Sequence, residues 1–428
     1  MSGRYRVVQR IAVCIALVCA CVVGVTPALA SWPAQPSLVE TITTSGGPFG
    51  AAMSPNGAQA WFTAYNGNSV RFFDTTTRQE LPGSPLSVGT TPWDVVFSPD
   101  GNRAWVSNYQ VASPSGTGTT VSIIDTASSP PTVTGAVTVG TGPQGMAISP
   151  DGTRLWVANY ASANVTIIDT TSTPPIAVAT VSLPGTYPTA VAISPDGSRA
   201  LVTDYLGNVY VISTSTFAVL GNAAIGSTLV DIIFNNDGTR AWVSGIRVYS
   251  IDTSTSTPAL LNTSTISAAG GLALAPDGSR LWVVAHFGNA IDVIDPITLQ
   301  AFSGARLTFG QQPYQVILTP SGTMAWVSGF LNNTIGVVST GYVPGGSDDP
   351  SQRPLAPLQE FAVVPGTAAD QCSDLAPDSV DWPALVSLRQ VGWTLSYASW
   401  PHGGTGGWVC SRQPVYISGA WTFSSIAS

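Results

Sequence analysis

A twelve-residue pattern, "SPDGTRLWVANY" at 149–160, recurs in altered form from Ser54, Ser98, Ser194, Asn235, Ala275 and Thr319. Its turn glycines stand at 57, 101, 152, 197, 238, 278 and 322, spaced 40 to 51 residues apart. A period near 45 residues built of short strands and turns is that of propeller blades. In the third copy "QGMAI" predicts a first strand, Pro150-Asp151-Gly152 a tight turn, "RLWVANY" a second strand, "NVTIIDT" a third and "IAVATVSL" a fourth. Proline presets φ in that turn, and glycine supplies the positive φ that returns the chain to the ladder.

The seventh copy lacks a fourth strand, because "NTIGVVST" (333–340) runs straight into "GYVPGGSDDPSQRPLAP". At the other end "SLVETITTSGG" (37–47) is a strand without a blade. Joining the two closes a ring and removes the open first and last edges of an unclosed array. The expectation is an all-β, seven-bladed β-propeller over 31–342, closed by its N-terminal strand.

Seven copies also serve as an internal alignment. A position filled alike in every blade answers a structural need, and a position that varies is free for function. Trp61, Trp105, Trp156, Trp242, Trp282 and Trp326 share one slot, with Leu201 the exception, so these indoles are expected to pack between blades. Asp100, Asp151, Asp196, Asp237 and Asp277 are each followed three residues later by Arg. The blades with Asn56 and Ser321 lack both, which suggests an Asp–Arg contact.

Function is then expected in the loops of one face. After the Pro-like position the blades carry Phe49, Trp93, Gln144, Thr189, Val230, Gly270 and Tyr314. Phe49, Trp93 and Tyr314 fall in consecutive blades, beside the long loop "QVASPSGTGTT" (110–120). Exposed rings next to a Ser/Thr/Gly-rich loop suit a glycan or protein ligand, and rim packing is the plain alternative. One residue further on, Asp94 and Asp231 should face the central channel, where carboxylates and bridging water would suit Ca²⁺. His286 is the histidine in a loop of that face, in a slot that is Tyr in other blades. A hydrolytic site would need Asp94, Asp231 and His286 in one pocket. No Gly-x-Ser-x-Gly elbow, haem motif or His-rich metal spacing is present in the sequence.

The segments "LWVANY…NVTIIDT" (155–170) and "AWVSNY…VSIIDT" (104–126) resemble the YVTN family of propeller repeats, over about residues 39–342. That resemblance implies a secreted or cell-surface interaction scaffold. The ring shape also resembles that of some lactonases and lyases, which makes a hydrolytic enzyme the second reading. A structural cell-envelope protein is the third.

The ends and the charge bear on compartment and partner. Arg4, Arg6 and Arg10 precede the apolar run Ile11–Val25, and "ALA" at 28–30 places small residues before a cleavage point: a secretory signal peptide over 1–30. The run is short for a membrane span, so an uncleaved anchor is the lesser reading, and a lipoprotein cysteine at 19 or 21 a weaker one still. Cleavage near Ala30 leaves 12 of the 15 basic residues, all Arg, against 23 acidic ones, a net charge of −11. Such a balance argues against nucleic acid and anionic lipid as partners. It also leaves Cys372 and Cys410, an even pair that reads as one disulfide in an exported chain.

Residues 343–357 are Pro, Gly, Ser and Asp and read as a linker. Residues 358–428 hold five of the 13 Trp and the cysteine pair. They are expected to form a small disulfide-linked β-rich module, with strands around a Gly-rich turn in 392–416.

Overall fold

The computed structural model describes residues 35–112, 115–267 and 269–342, with two further strands at Thr394–Ala398 and Gly407–Ser411. The signal peptide and linker expected from the sequence lie outside the described residues. So do Cys372 and the side chain of Cys410, and with them the expected disulfide.

Seven four-stranded antiparallel sheets account for residues 37–339. The first strand of each sheet, beginning with Pro48–Met53, Pro92–Phe97 and Pro143–Ile148, packs against the first strand of the next. The seventh, Pro313–Leu318, returns to the first, so seven strands surround one channel. The strand Ser37–Thr43 supplies the outer edge of blade 7, paired antiparallel with Thr334–Ser339 from Ser37↔Ser339 to Thr43↔Thr334. The other two described strands pair with each other, Leu395 opposite Cys410, within a separate unit at 354–428.

The repeated sequence slots explain how the ring holds. All six indoles are at most 2% exposed. Trp105 packs with Met146 and Leu155 of the next blade, and Trp156 with Val191 and Val202 of the one after. The turn glycines sit at φ of 70–72°, a conformation only glycine takes without strain.

The Asp–Arg contact is not what the turns contain. Asp151 accepts hydrogen bonds from Ser149 Oγ (2.5 Å), Thr153 N (3.0 Å) and Thr153 Oγ (2.9 Å). Arg154 turns away to Asp169 on the third strand, 3.1 Å distant. Arg103 and Arg199 reach further, each donating to a carbonyl of the next blade, at Thr170 and Thr253. In the blades of Asp100, Asp151 and Asp196, aspartate caps the turn and arginine braces it from outside. Asn56 does the capping in blade 1, accepting from Ser54 Oγ at 2.8 Å.

A second stitch was not anticipated. Two residues past the Trp slot, the blades carry Thr63, Ser107, Ala158, Thr203, Ser244, Val284 and Ser328. Ser107 Oγ accepts from Asp94 N in its own blade (3.1 Å) and donates to Gln144 O in the next (2.7 Å). Ser328 does the same between Gln315 N (2.9 Å) and Phe49 O (2.7 Å), across the junction of blades 7 and 1. Thr63 bridges Gly50 N and Trp93 O in the same way.

Candidate functional site

Alternating strand direction puts the links between blades and the loops between second and third strands on one face. The turns within each hairpin of first and second, and third and fourth, strands lie on the other. The two faces differ sharply in charge. The turn face carries the capping aspartates, their arginines, and Asp74, Asp125, Asp169, Asp252 and Asp295 at third-strand ends or the turns after them. The loops and links of the opposite face hold one formally charged residue, Arg247. Arg71, on the third strand of blade 1, and Arg306, just before the fourth strand of blade 6, approach that face ion-paired with Glu80 (2.7 Å) and Asp292 (2.8 Å).

What the uncharged face offers instead is a run of rings. Phe49 is stacked on Tyr314 with centroids 3.5 Å apart, and Trp93 meets it edge-on at 4.7 Å. Tyr65 and Phe330 pack around the same ring at 5.2 and 5.5 Å. The three expected aromatics are thus together, in unequal positions: Phe49 is 6% exposed, with its faces covered, while Trp93 and Tyr314 are half-buried. The run continues from Trp93 through Tyr109 and Tyr160 to Tyr187 and Tyr205. On the other flank His286 lies edge-on to Tyr314 at 5.7 Å, with Phe287 beside it, 73% exposed.

Beneath the rings the channel narrows to a small cavity of about 60 Å³, with Asp94, Asp231, Tyr314 and Gln315 in its wall. Glycine permits the closeness. A Cβ at Gly145 would fall 2.7 Å from Thr189 O, and at Gly271 it would collide with the Gln315 amide. Gln315 of blade 7 crosses Gly271 of blade 6 and lies close enough to Asp231 of blade 5 to favour its charged form.

Both carboxylates are inter-blade clips. Asp94 accepts Val95 N (2.8 Å) and, from the next blade, Met146 N (2.9 Å). Asp231 accepts Ile232 N and Leu272 N, both at 2.8 Å. Enclosure by protein raises Asp94 to about 7, against the pull of its two amides, with the charge of Asp231 adding to the rise. Burial likewise raises Asp231 to about 6, opposed by its amides and by Gln315. The Tyr314 hydroxyl is held well above the usual phenol range, first by burial and then by these two carboxylates, which places all three groups around the channel axis. A hard cation there would share oxygens that amides already engage. Among the described residues no group of three or more His, Cys, Asp or Glu is disposed to hold a metal.

His286 stands apart from the carboxylates. Its Nδ1 is 2.8 Å from Pro313 O, and since a carbonyl only accepts, Nδ1 is the donor. Tyr314 lies between the imidazole and the carboxylate pair. At its other end the channel opens onto an apolar depression lined by Met53, Leu274 and Pro320, with no ionisable group in it.

Sequence reasoning missed Tyr187 and Tyr205, 44% and 45% exposed. The signal was available in the internal alignment. The residue before the Pro-like position is Gly47, Thr91, Gly142, Tyr187, Thr228, Ala268 and Gln312, so Tyr187 is the one aromatic in a slot without a common filling.

No family model matches the chain, and no curated protein matches it. Among solved structures it is similar to hydrazine synthase of Kuenenia stuttgartiensis, at 22% identity and a TM-score of 0.60, covering 70% of this chain and 97% of that one. It is also similar to the β-propeller domain of Cps50 (Swd1) from Myceliophteria thermophila, at 13% identity and a TM-score of 0.59, covering 71% and 99%. At such identities the likeness is one of fold. It agrees with the seven-bladed ring.

Proposed function

We propose that the chain is an exported, non-catalytic recognition scaffold that holds a glycan or protein ligand on its uncharged loop face. One observation carries this reading. In the loops and turns, formal charge is almost confined to the turn face, and Asp94, Asp204 and Asp231 at the loop-face strand ends are held in hydrogen bonds to protein, while the loop face carries a connected run of rings and exposed apolar residues such as Phe287 and Leu331. Depletion of charge together with aromatic enrichment is the composition of a binding surface's core. The resemblance of the blades to YVTN repeats and the signal-like N-terminus support a place at or outside the cell surface.

A host strain carrying the full chain tests export. The protein recovered from the medium or cell surface should begin at Ser31, and protein retained in the cytoplasm with Met1 intact would refute it. Recognition is tested by titrating wall glycans and extracellular proteins against a loop-face variant that joins Phe287→Ser with Tyr187→Ser, and against Ile297→Ser on the turn face. Loss of binding in the first alone is the expected result. Loss in the second alone would move recognition to the turns.

The second reading, a hydrolytic enzyme, is favoured by one feature, the proton affinity of Asp94 and Asp231, since displaced carboxylate pKa values gather at reactive sites. Its test is lactone or ester turnover that Asp94→Asn abolishes while ligand binding at the loop face persists.

A further inference from the structure

Three tyrosines on blades 3 and 4 form a cluster on the loop face, two of them exposed. Tyr160 is the half-buried base, with Tyr187 tilted against it at 5.1 Å and 34° and Tyr205 edge-on at 6.3 Å and 78°. Gly185, two residues before Tyr187, faces empty space, for a Cβ there would meet nothing within 4 Å. Tyr187 and Tyr205, 44% and 45% exposed, are reachable from solvent. Burial and then the nearby phenols of Tyr109, Tyr205 and Tyr187 raise the Tyr160 hydroxyl. Among the described residues, none of the hydroxyls of Tyr160, Tyr187 and Tyr205 hydrogen-bonds to protein.

We infer that Tyr160, Tyr187 and Tyr205 form a subsite for an uncharged oligosaccharide, a deepening that rests on the recognition reading above. A pyranose ring has one chemistry on its faces and another on its rim. Its C–H face lies favourably on an aromatic ring, and its hydroxyls seek donors and acceptors that carry no charge. The three phenols supply both, in one cluster. Nucleic acids and anionic polysaccharides need cations, and Arg247 is the single formal charge in the loops and links of this face. A folded protein partner needs about 800 Å² on each side, with deeply buried central anchors. Three adjoining tyrosines with open hydroxyls are better matched to two or three sugar units. Tyr187 belongs to no repeated slot, so the ring of blades does not require it.

The probes are hexasaccharides of β-1,4-glucan, β-1,4-mannan and α-1,4-glucan, with polygalacturonate as the anionic control and a displayed library of random peptides as the protein control. Calorimetric titration of the mature chain should give saturable binding to at least one neutral hexasaccharide, and none to polygalacturonate. Raising sodium chloride to about 0.5 M should leave that binding in place, because no ion pair is involved. Tyr187→Ala and Tyr205→Ala, verified by an unchanged melting temperature, should each weaken binding about tenfold or more. Tyr205→Phe, which keeps the ring and removes the hydroxyl, should fall between. Binding to no neutral hexasaccharide, or binding that both alanine variants retain, overturns the inference. If peptides bind and Tyr187→Ala abolishes that binding, the face remains a recognition surface and the sugar assignment fails. If neither class binds, both readings fail together.

Discussion

At the scale of residues, the sequence repeats separated structure from function well, and they misled where two structural roles travel together. The Trp slot was legible because an indole between blades has no substitute of equal volume. Asp151 and Arg154 occur together because one turn needs both a cap and a brace, not because they touch. A double-mutant cycle should therefore find little coupling between Asp151 and Arg154. Asp151→Ala alone should cost about 1 kcal/mol, the usual loss of a side-chain cap. The channel aspartates invite a pH test with a definite sign. Asp94 and Asp231 are raised to about 7 and about 6 from 3.8, so the folded chain binds more protons than the unfolded one between about pH 4 and 7. Their contribution is fully present below about pH 4 and is lost as pH rises through 6 and 7. The turn aspartates run the other way. Asp196, lowered to about 2 chiefly by Ser194 Oγ and the Ser198 amide, stabilises above about pH 4 and ceases to as pH falls toward 2. The melting temperature should peak near pH 4 to 5. Asp94→Asn should flatten its decline toward pH 7, and an unchanged slope would show that Asp94 titrates normally.

At the scale of elements, the strands were readable from alternation and the turns from Pro-Asp-Gly. The hydroxyl stitch was not, because a buried Ser or Thr in a strand looks like ordinary β-propensity until its neighbour across the blade junction is known. Ser107 and Ser244 occupy the same slot and are both fully buried, yet Ser107 bridges two blades and Ser244 Oγ has no partner. Ser107→Ala leaves Asp94 N–H and Gln144 C=O unpaired and should cost about 1–3 kcal/mol. Ser244→Ala removes a hydroxyl that bonds to nothing and should be neutral or slightly stabilising, by well under 1 kcal/mol. Equal losses at the two sites, read from chemical denaturation, would refute the stitch as a source of stability. The outer edges show another device hidden from sequence. The fourth strands of blades 2 to 5 and the N-terminal strand of blade 7 break register at one residue, as at Val178 between Ala177 and Ala179. A bulge bends an edge away from foreign strands. In blades 2 to 5 that compensates for edges whose exposed residues, Ile176 and Val178 among them, carry no charge.

At the scale of the whole molecule, ring closure was legible by subtraction, as one blade short of a strand and one strand short of a blade. The loop-face site was only half legible, since the alignment could locate Phe49, Trp93 and Tyr314 in consecutive blades but not say which ring is buried under the others. Closure makes blade 7 a composite of residues more than 290 apart, Thr43 opposite Thr334, with Ile42 against the core beside Trp326 and Val337. The chain's two ends in the ring therefore unfold together or not at all. Removing residues 35–43 takes a ladder of six paired residues from blade 7 and bares the edge Thr334–Ser339. At about 0.5–1.5 kcal/mol for each ladder hydrogen bond, the loss amounts to several kcal/mol. It should also reach beyond blade 7, because the Ser328 stitch to Phe49 rests on a strand that has lost its outer support. The truncated chain should melt at a clearly lower temperature and associate through the bare edge. A peptide spanning residues 35–43, added in excess, should restore the melting temperature in proportion to its concentration, as any ligand of the folded state does. A peptide with Ile42→Asp should not, because it would carry a charge into the core. A truncated chain as stable as the parent would mean that the blade junctions alone hold the ring, and that the N-terminal strand covers an edge without closing anything.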